Sequence, residues 1–355
     1  GNDGKYNTGV GIGALFSNTT GKFNIASGYR SLYANTIGNY NVASGVYSLL
    51  SNTTGSYNVA SGYQTLFTNT IGNFNTAIGG YSLYSNIDGL GNVASGYQTL
   101  YTNTEGSYNV ASGYHALRGN TEGDHNIASG YQALYANTLG SRNIAIGYRS
   151  LFVNTEGIDN IAIGYHSLRA NTTGTYNVAS GYQTLYSNTT GDHNLASLYR
   201  SLWQNTTGSN DIAIGVQSLY SNTTGSNNVA SGSYSLYSNT IGNYNVASGY
   251  LSLYGNTTGS NNVAIGYGAG RYIANGSTAN QTSGTSIHIG VNTKALADGG
   301  ANEIVIGYSA IGNGSNTVTL GNTSVTKTIL QGNVGIGTTS PDEALSVVGN
   351  ISGSG

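Results

Sequence analysis

Apolar residues return along this chain with a fixed beat of seventeen. Asn stands at 7, 24, 41, 58, 75, 92, 109, 126, 143, 160, 177, 194, 228, 245 and 262, and Asp211 fills the one gap. Residues 7 to 261 therefore make fifteen units of seventeen with no insertion or deletion. Counted from its Asn, the unit carries Val, Ile, Leu or Thr at position 2 and Ala at position 3, except Gly9. Position 4 is Ser, Ile or Val, and position 5 is Gly, except Leu198. Position 9 is Leu in every full unit, position 12 is Asn and position 15 is Gly; position 13 is Thr except at Ile87. A strict short period of this kind is the signature of a solenoid.

Seventeen residues are too few for a helix pair with its turns but suffice for short strands and turns. Positions 1 to 5 alternate as a strand does, with 2 and 4 on one face and 3 and 5 on the other. The pattern predicts a bend at the position-5 Gly, a second strand at positions 8 to 11, and a return turn at N-T-x-G. The Gly at position 15 suits a positive φ in that turn. Stacking at about 4.8 Å per coil makes a rod of roughly 70 Å. Ala at position 3 and Leu at position 9 are expected inside. The Asn at position 12 reads either as a stacked amide ladder or as a turn former, and the two are compatible.

Position 2 is Val, Ile or Leu in fourteen of sixteen starts, although it faces away from position 3. An apolar row of that length exceeds what a monomer exposes. The expectation is that the same strip on partner chains covers it, closed by rotation about the rod axis. The alternative is reversed facing, with positions 2 and 4 inside a monomeric solenoid and Ala and Gly outside.

The chain divides into a regular β-roll (1–261), an irregular continuation (262–341), and a short strand with a flexible end leading toward a further C-terminal region (342–355). In the second part VAIG, IHIG, IVIG, VTLG and VGIG keep the strand signature at uneven spacing, and the stretch 276–286 reads as an inserted loop. The fifth unit, from Asn75, departs most from the rest, with Gly80, Ile87, Asp88 and Gly91.

Composition narrows the function classes. Charged residues are 7% and the formal net charge is −2, which gives no electrostatic footprint for nucleic acid. No apolar run is long enough to span a membrane as a helix. Cys is absent, so no disulfide framework or thiolate metal site exists. Met is absent even at position 1, which suits a processed product or part of a longer chain.

Catalytic, cofactor and metal residues are not expected. His115, His125, His166, His193 and His288 read as surface groups, and Glu105, Glu122 and Glu156 fall in turns without forming a pair suited to glycoside hydrolysis. Neither a HExxH motif nor a P-loop is present. Tyr recurs at positions 6, 10 and 17. Aromatic faces suit the apolar faces of sugar rings, so Tyr97, Tyr101, Tyr131, Tyr135, Tyr182, Tyr186 and Trp203 are candidate glycan contacts. The same rows also serve simply as ring ladders that stabilise the coil.

The motif N-V/I-A-I/S-G-Y-x-S/A/T-L, best matched at Asn143 to Gly147 and Asn262 to Gly266, resembles the YadA-like head repeats of trimeric autotransporter adhesins. That resemblance implies a homotrimer of left-handed parallel β-rolls, although the family's coils are commonly shorter. The segment from Asn302, above all GNVGIGTTSP (332–341), resembles the part of phage tail fibres that precedes an endosialidase-type chaperone domain. The expectation is an all-β parallel β-solenoid in a homotrimeric, non-enzymatic, extracellular fibre. Such a rod would serve host or surface attachment on a virion or a bacterial cell, with a surface glycan or other receptor as partner. Two alternatives are an ice-binding solenoid and a polysaccharide-degrading tailspike.

Overall fold

The computed structural model describes residues 6–341 and 343–347; the expected flexible end at 348–355 lies outside the described residues. Sixteen three-residue strands run from β1 (Thr8–Val10) and β2 (Ile25–Ser27) to β16 (Val263–Ile265), one per coil. Three more, β17 (Ile287–Ile289), β18 (Glu303–Ile306) and β19 (Thr317–Leu320), continue the same parallel sheet. Like pairs with like: Ala26 stands beside Ala43, and Ala43 beside Ala60. The chain is an all-β parallel β-solenoid, about 85 Å from β1 to β19 at about 4.8 Å per step. The strand at VGIG, β20 (Val334–Ile336), pairs instead with β21 (Leu345–Val347), in a separate two-stranded sheet.

The interior is as the pattern requires. The position-3 Ala and position-9 Leu residues form one continuous buried column. Positions 2 and 4 face outward, with Val10, Ile25 and Ile78 between 49% and 61% exposed. Reversed facing is therefore overturned.

The second strand does not form. Position 8 (Ser31, Thr65, Ala116) and position 9 (Leu32, Leu66, Leu117) are both buried, whereas neighbours in a strand point opposite ways. Backbone alternation is the reason. Positions 7 and 9 are left-handed, as at Gln64 (φ 51) and Leu66 (φ 50). Position 17 is left-handed too, as at Phe74 (φ 59). A left-handed L-residue costs roughly 1–2 kcal/mol. The gain is that successive amides alternate along the rod axis. Tyr47 N–H donates back to Tyr29 C=O at 2.9 Å, while Leu49 N–H donates forward to Thr65 C=O at 2.9 Å. Axial hydrogen bonding thus continues through a segment that is not extended.

Two asparagine ladders fix the coil. At position 12, Asn69 Nδ2 donates to Asn52 Oδ1 (2.8 Å) and to Gly72 C=O (3.1 Å). At position 1, Asn58 Nδ2 donates to the same Gly72 carbonyl (2.8 Å), and Asn58 Oδ1 accepts the N–H of Asn75 (3.0 Å). The position-12 Asn is both the ladder and the turn residue. Thr at position 13 adds a third row, with Thr53 Oγ1 donating to Thr70 C=O at 3.0 Å.

The position-15 Gly is required for a different reason than a positive φ, which it lacks. A Cβ at Gly72 would stand 2.4 Å from Asn69 Oδ1, 2.6 Å from Asn86 Nδ2 and 2.6 Å from Gly89 C=O. Side-chain and backbone ladders pass too close for any methyl. The position-5 Gly meets both demands: at Gly62 φ is 138, and a Cβ would lie 2.8 Å from the carbonyl carbon of Gly79.

Asp211 occupies the position-1 ladder. Its Oδ1 accepts Asn228 N–H (2.8 Å) and its Oδ2 accepts Asn222 Nδ2 (3.1 Å). The Asn at this position elsewhere also donates to the Gly fourteen residues on, as Asn194 does to Gly208 (2.9 Å). Only a protonated Asp211 has a hydrogen to offer there. Burial outweighs its accepted hydrogen bonds and pushes its carboxyl up to about 7.

Two outcomes are expected. Gly72→Ala lowers local stability by about 2 kcal/mol or more through overpacking, read as faster amide exchange in the adjoining coils. Unchanged exchange there would remove the steric account of position 15. Asp211 binds its proton more tightly folded than unfolded, so its contribution is fully present below about pH 4 and is lost as pH rises to about 7. Asp211→Asn removes that slope and stabilises the chain at neutral pH, by on the order of 4 kcal/mol as an upper bound. Thermal unfolding at several pH values checks it; equal slopes in both chains would contradict the assignment.

Candidate functional site

The outward aromatic residues form rows because each unit repeats them at the same backbone angle. Tyr97, Tyr131 and Tyr182 belong to the position-6 row, which runs unbroken from Tyr97 through Tyr114, Tyr131, Tyr148, Tyr165 and Tyr182 to Tyr199. Ring centroids there are 5.1 to 5.6 Å apart. Tyr101, Tyr135, Tyr186 and Trp203 belong to the position-10 row. Trp203 stacks on Tyr186 at 5.9 Å and Tyr220 at 5.1 Å.

Position 7 separates the two rows and touches both. The His166 ring lies 4.3 Å from that of Tyr165 and 6.0 Å from that of Tyr186. Arg149 sits over Tyr148 and Phe152, and Arg200 over Tyr199 and Trp203, at 5.1 to 5.7 Å. Within the position-10 row, Arg118 replaces a ring and bridges Tyr101 and Tyr135. Stacking and cation–π contact each contribute about 1 kcal/mol.

This geometry decides what the rows can offer. Both faces of Tyr131 are taken, by Tyr114 and Tyr148. With the faces occupied, a sugar could meet this row only through ring edges and hydroxyls. At position 17 the stack is interrupted. It runs from Tyr6 to Phe74, is absent at Gly91, and gives way to a bidentate Arg142–Asp159 pair at 2.7 and 2.8 Å. That exposed pair holds the Asp159 carboxyl below its ordinary value by its hydrogen bond and contributes little to stability.

The histidines divide. His125 and His193 stack on Tyr108 and Tyr176 at the surface. His115 and His166 are half-buried in the position-7 row. Burial first, then the Arg118 charge, lowers the imidazole of His115; burial, then Arg169 and Arg149, lowers that of His166. His288 corrects the surface expectation. It takes the position-3 place inside the rod, paired with Ala264 and Val305, and is fully buried. Room for it comes from Gly270, which stands where every regular coil has Leu; a Cβ at Gly270 would lie 3.0 Å from the His288 ring. Burial pushes His288 down to about 4.

The expected loop also shifts. The coil starting at Asn262 is seven residues longer than the unit, but Gln281 already accepts the N–H groups of Thr257 and Thr258, as a position-13 residue does. The Ser283 carbonyl accepts Asn262 Nδ2 (2.7 Å), as the position-15 Gly does. The extra residues therefore lie at 271–279, tied by the antiparallel bridge Tyr272–Ala279. Residues 281 to 283 rejoin the coil because backbone carbonyls, not particular side chains, fill those places. Sequence reading missed Lys294, Asn292 and Tyr272 beside this arch; the change in coil length was the signal that marked the place.

Among the described residues, no three His, Asp or Glu side chains gather where a metal ion would be held. No helix among them is long and apolar enough to cross a membrane. No protein-family model matches the chain, and no curated protein matches it either.

The lowered imidazoles carry a pH prediction. Unfolded His115 and His166 take up protons near the ordinary 6.5 while the folded rings resist, so their share of stability is present above that pH and falls below it. The protection factors of Tyr148 to Phe152, that is, exchange corrected for its intrinsic slowing in acid, are expected to fall on going from pH 7 to pH 5, and His166→Gln to flatten that change. An identical pH response in the variant would count against it.

Proposed function

We propose that this chain is a segment of a homotrimeric, non-enzymatic extracellular fibre for attachment to a host or other surface. One observation carries the reading. The strip of Val, Ile and Leu at position 2, joined by Ile or Val at position 4 in some coils and Ser in the rest, runs along the whole parallel sheet, and its own chain leaves it half-buried to exposed. Covering one such half-exposed side chain contributes about 1 kcal/mol. Repeated in every coil and three times around an axis, that sum favours a closed assembly over a monomer.

The resemblance to YadA-like heads in N-V/I-A-I/S-G supports the threefold arrangement, and the likeness of residues 332–341 to phage tail fibres supports a fibre. The exposed apolar side chains of Val325, Ile329 and Leu330 beyond β19 give partner chains a further surface to cover. Surface glycans are the partner class this reading favours, met by the hydroxyl edges of the tyrosine rows or by the irregular coils. No catalytic, cofactor or metal role is assigned to any residue. The ice-binding alternative loses its main support, because the position-13 Thr hydroxyls donate along the ladder and do not present a free array to water.

Light scattering on the purified chain is expected to give three chain masses. Ile146→Asp combined with Ile163→Asp, on adjacent coils of the strip, is expected to shift it toward one mass while circular dichroism keeps the β-signal. A folded native chain of single mass would overturn the trimer, and glycan degradation by the purified chain would overturn the non-enzymatic reading.

A further inference from the structure

In the regular coils each residue meets its own copy above and below. The irregular coils do not repeat, and there a cavity of about 230 Å³ opens beneath the 271–279 arch. It is lined by Gly268, Tyr272, Gly276, Asn292, Lys294 and Ser309. No acidic side chain lines it.

Lys294 is the unusual member. Its backbone is pinned between coils: its N–H donates to Ala310 C=O (3.0 Å), and its carbonyl accepts Gly312 N–H (2.9 Å). Its side chain is half-buried and reaches under the arch, where a Cβ at Gly276 would lie 3.3 Å from Nζ. Gly276 has φ 75, so glycine suits both the angle and the space. Among the described residues, the ammonium has no hydrogen-bond acceptor and no ion-pair partner. An ammonium with three unmatched donors favours an anion.

The surroundings add to that preference. The Arg271 guanidinium lies 4.5 Å over the ring of Tyr272, a residue that lines the cavity, and so brings a second positive charge into this region. The nearby carboxylates are engaged elsewhere. Asp298 accepts the N–H groups of Gln281 and Thr282 (both 2.8 Å), and Glu303 accepts that of Gly314 (2.8 Å).

A second hollow, of about 340 Å³, adjoins the first, and Ser309 lines it with Ile311, Thr319, Asn322 and Thr323. Hydroxyls and amides set around a mostly apolar surface suit a sugar ring, which has polar edges and apolar faces.

We infer that these adjoining hollows form a saccharide-binding groove in which Lys294 receives a carboxylate of an acidic sugar. The inference rests on the glycan-contacting fibre reading and moves the contact from the tyrosine rows to the irregular coils. The arch supplies the wall of this site, which a seventeen-residue coil has no residues to spare for.

The test is a titration of the full chain with a panel of oligosaccharides containing uronic or sialic acids, each beside its carboxyl-reduced counterpart. The expected result is binding of at least one acid about tenfold tighter than its reduced form, the worth of one charge-assisted contact. Lys294→Gln is expected to abolish that difference and Lys294→Arg to keep most of it, with unchanged circular dichroism. Equal binding of acid and reduced forms, no carboxylate-dependent binding across the panel, or an unaltered preference in Lys294→Gln would overturn the inference. Inorganic phosphate that binds as tightly as the saccharide would make this a free-anion site and overturn it too. A single-chain mass would sink the fibre reading and leave the carboxylate preference standing, so the two failures are separable.

Discussion

Everything in this rod depends on one carbonyl per coil, that of the position-15 Gly. Two asparagine amides converge on it from opposite ends of the unit, Asn58 and Asn69 on Gly72, Asn126 and Asn137 on Gly140. Each amide also engages its copy one coil away. A lost or gained residue between positions 1 and 15 would separate donors from acceptor in that coil and from both neighbours. Buried unpaired amides cost several times what one hydrogen bond contributes. This is why the period holds without exception over fifteen units. It also explains why Gly is fixed at position 15 although its φ is ordinary.

The same axial logic governs the backbone outside the strand. Three residues per strand give too little ladder to hold a coil by themselves. Left-handed residues at positions 7, 9 and 17 turn further amides along the axis, so turns bond to turns as strands do. Their strain is offset by these bonds and by the Leu column, which the left-handed angle at position 9 directs inward. Outward side chains then inherit the same spacing. Aromatic groups at positions 6, 10 and 17 have no choice but to stack, and an Arg inserted among them finds a ring above and below.

How far this was legible follows from the kind of information involved. The inner face, the outward strip and the position-12 ladder were readable because invariance and alternation report burial directly: Ala60 and Leu66 inside, Val59 and Ser61 outside. A solenoid of seventeen-residue coils required nothing more. The second strand was misread because Leu prefers extended or helical backbone, and nothing in a side chain announces that its neighbours force it left-handed. The glycine at position 15 was rightly singled out for the wrong physical reason, since close approach and positive φ select the same residue. The position of the arch was misjudged because Asn280, Gln281, Thr282 and Ser283 resemble loop composition, yet their backbone fills the ladder sites.

His288 shows how the period is released. A regular coil cannot take an imidazole at position 3, because Ala there is packed against Leu at position 9. The chain exchanges both at once, Ala for His288 and Leu for Gly270 in the preceding coil, which conserves interior volume while ending the repeat. Once the Leu column stops, the coil need not return in seventeen residues, and the extra length at 271–279 becomes the wall over Lys294. A rod whose coils are all alike offers a partner only a ladder of identical contacts. A site that distinguishes one ligand from another must break that translation, and the swap at His288 and Gly270 is the packing change that permits the break without opening the core.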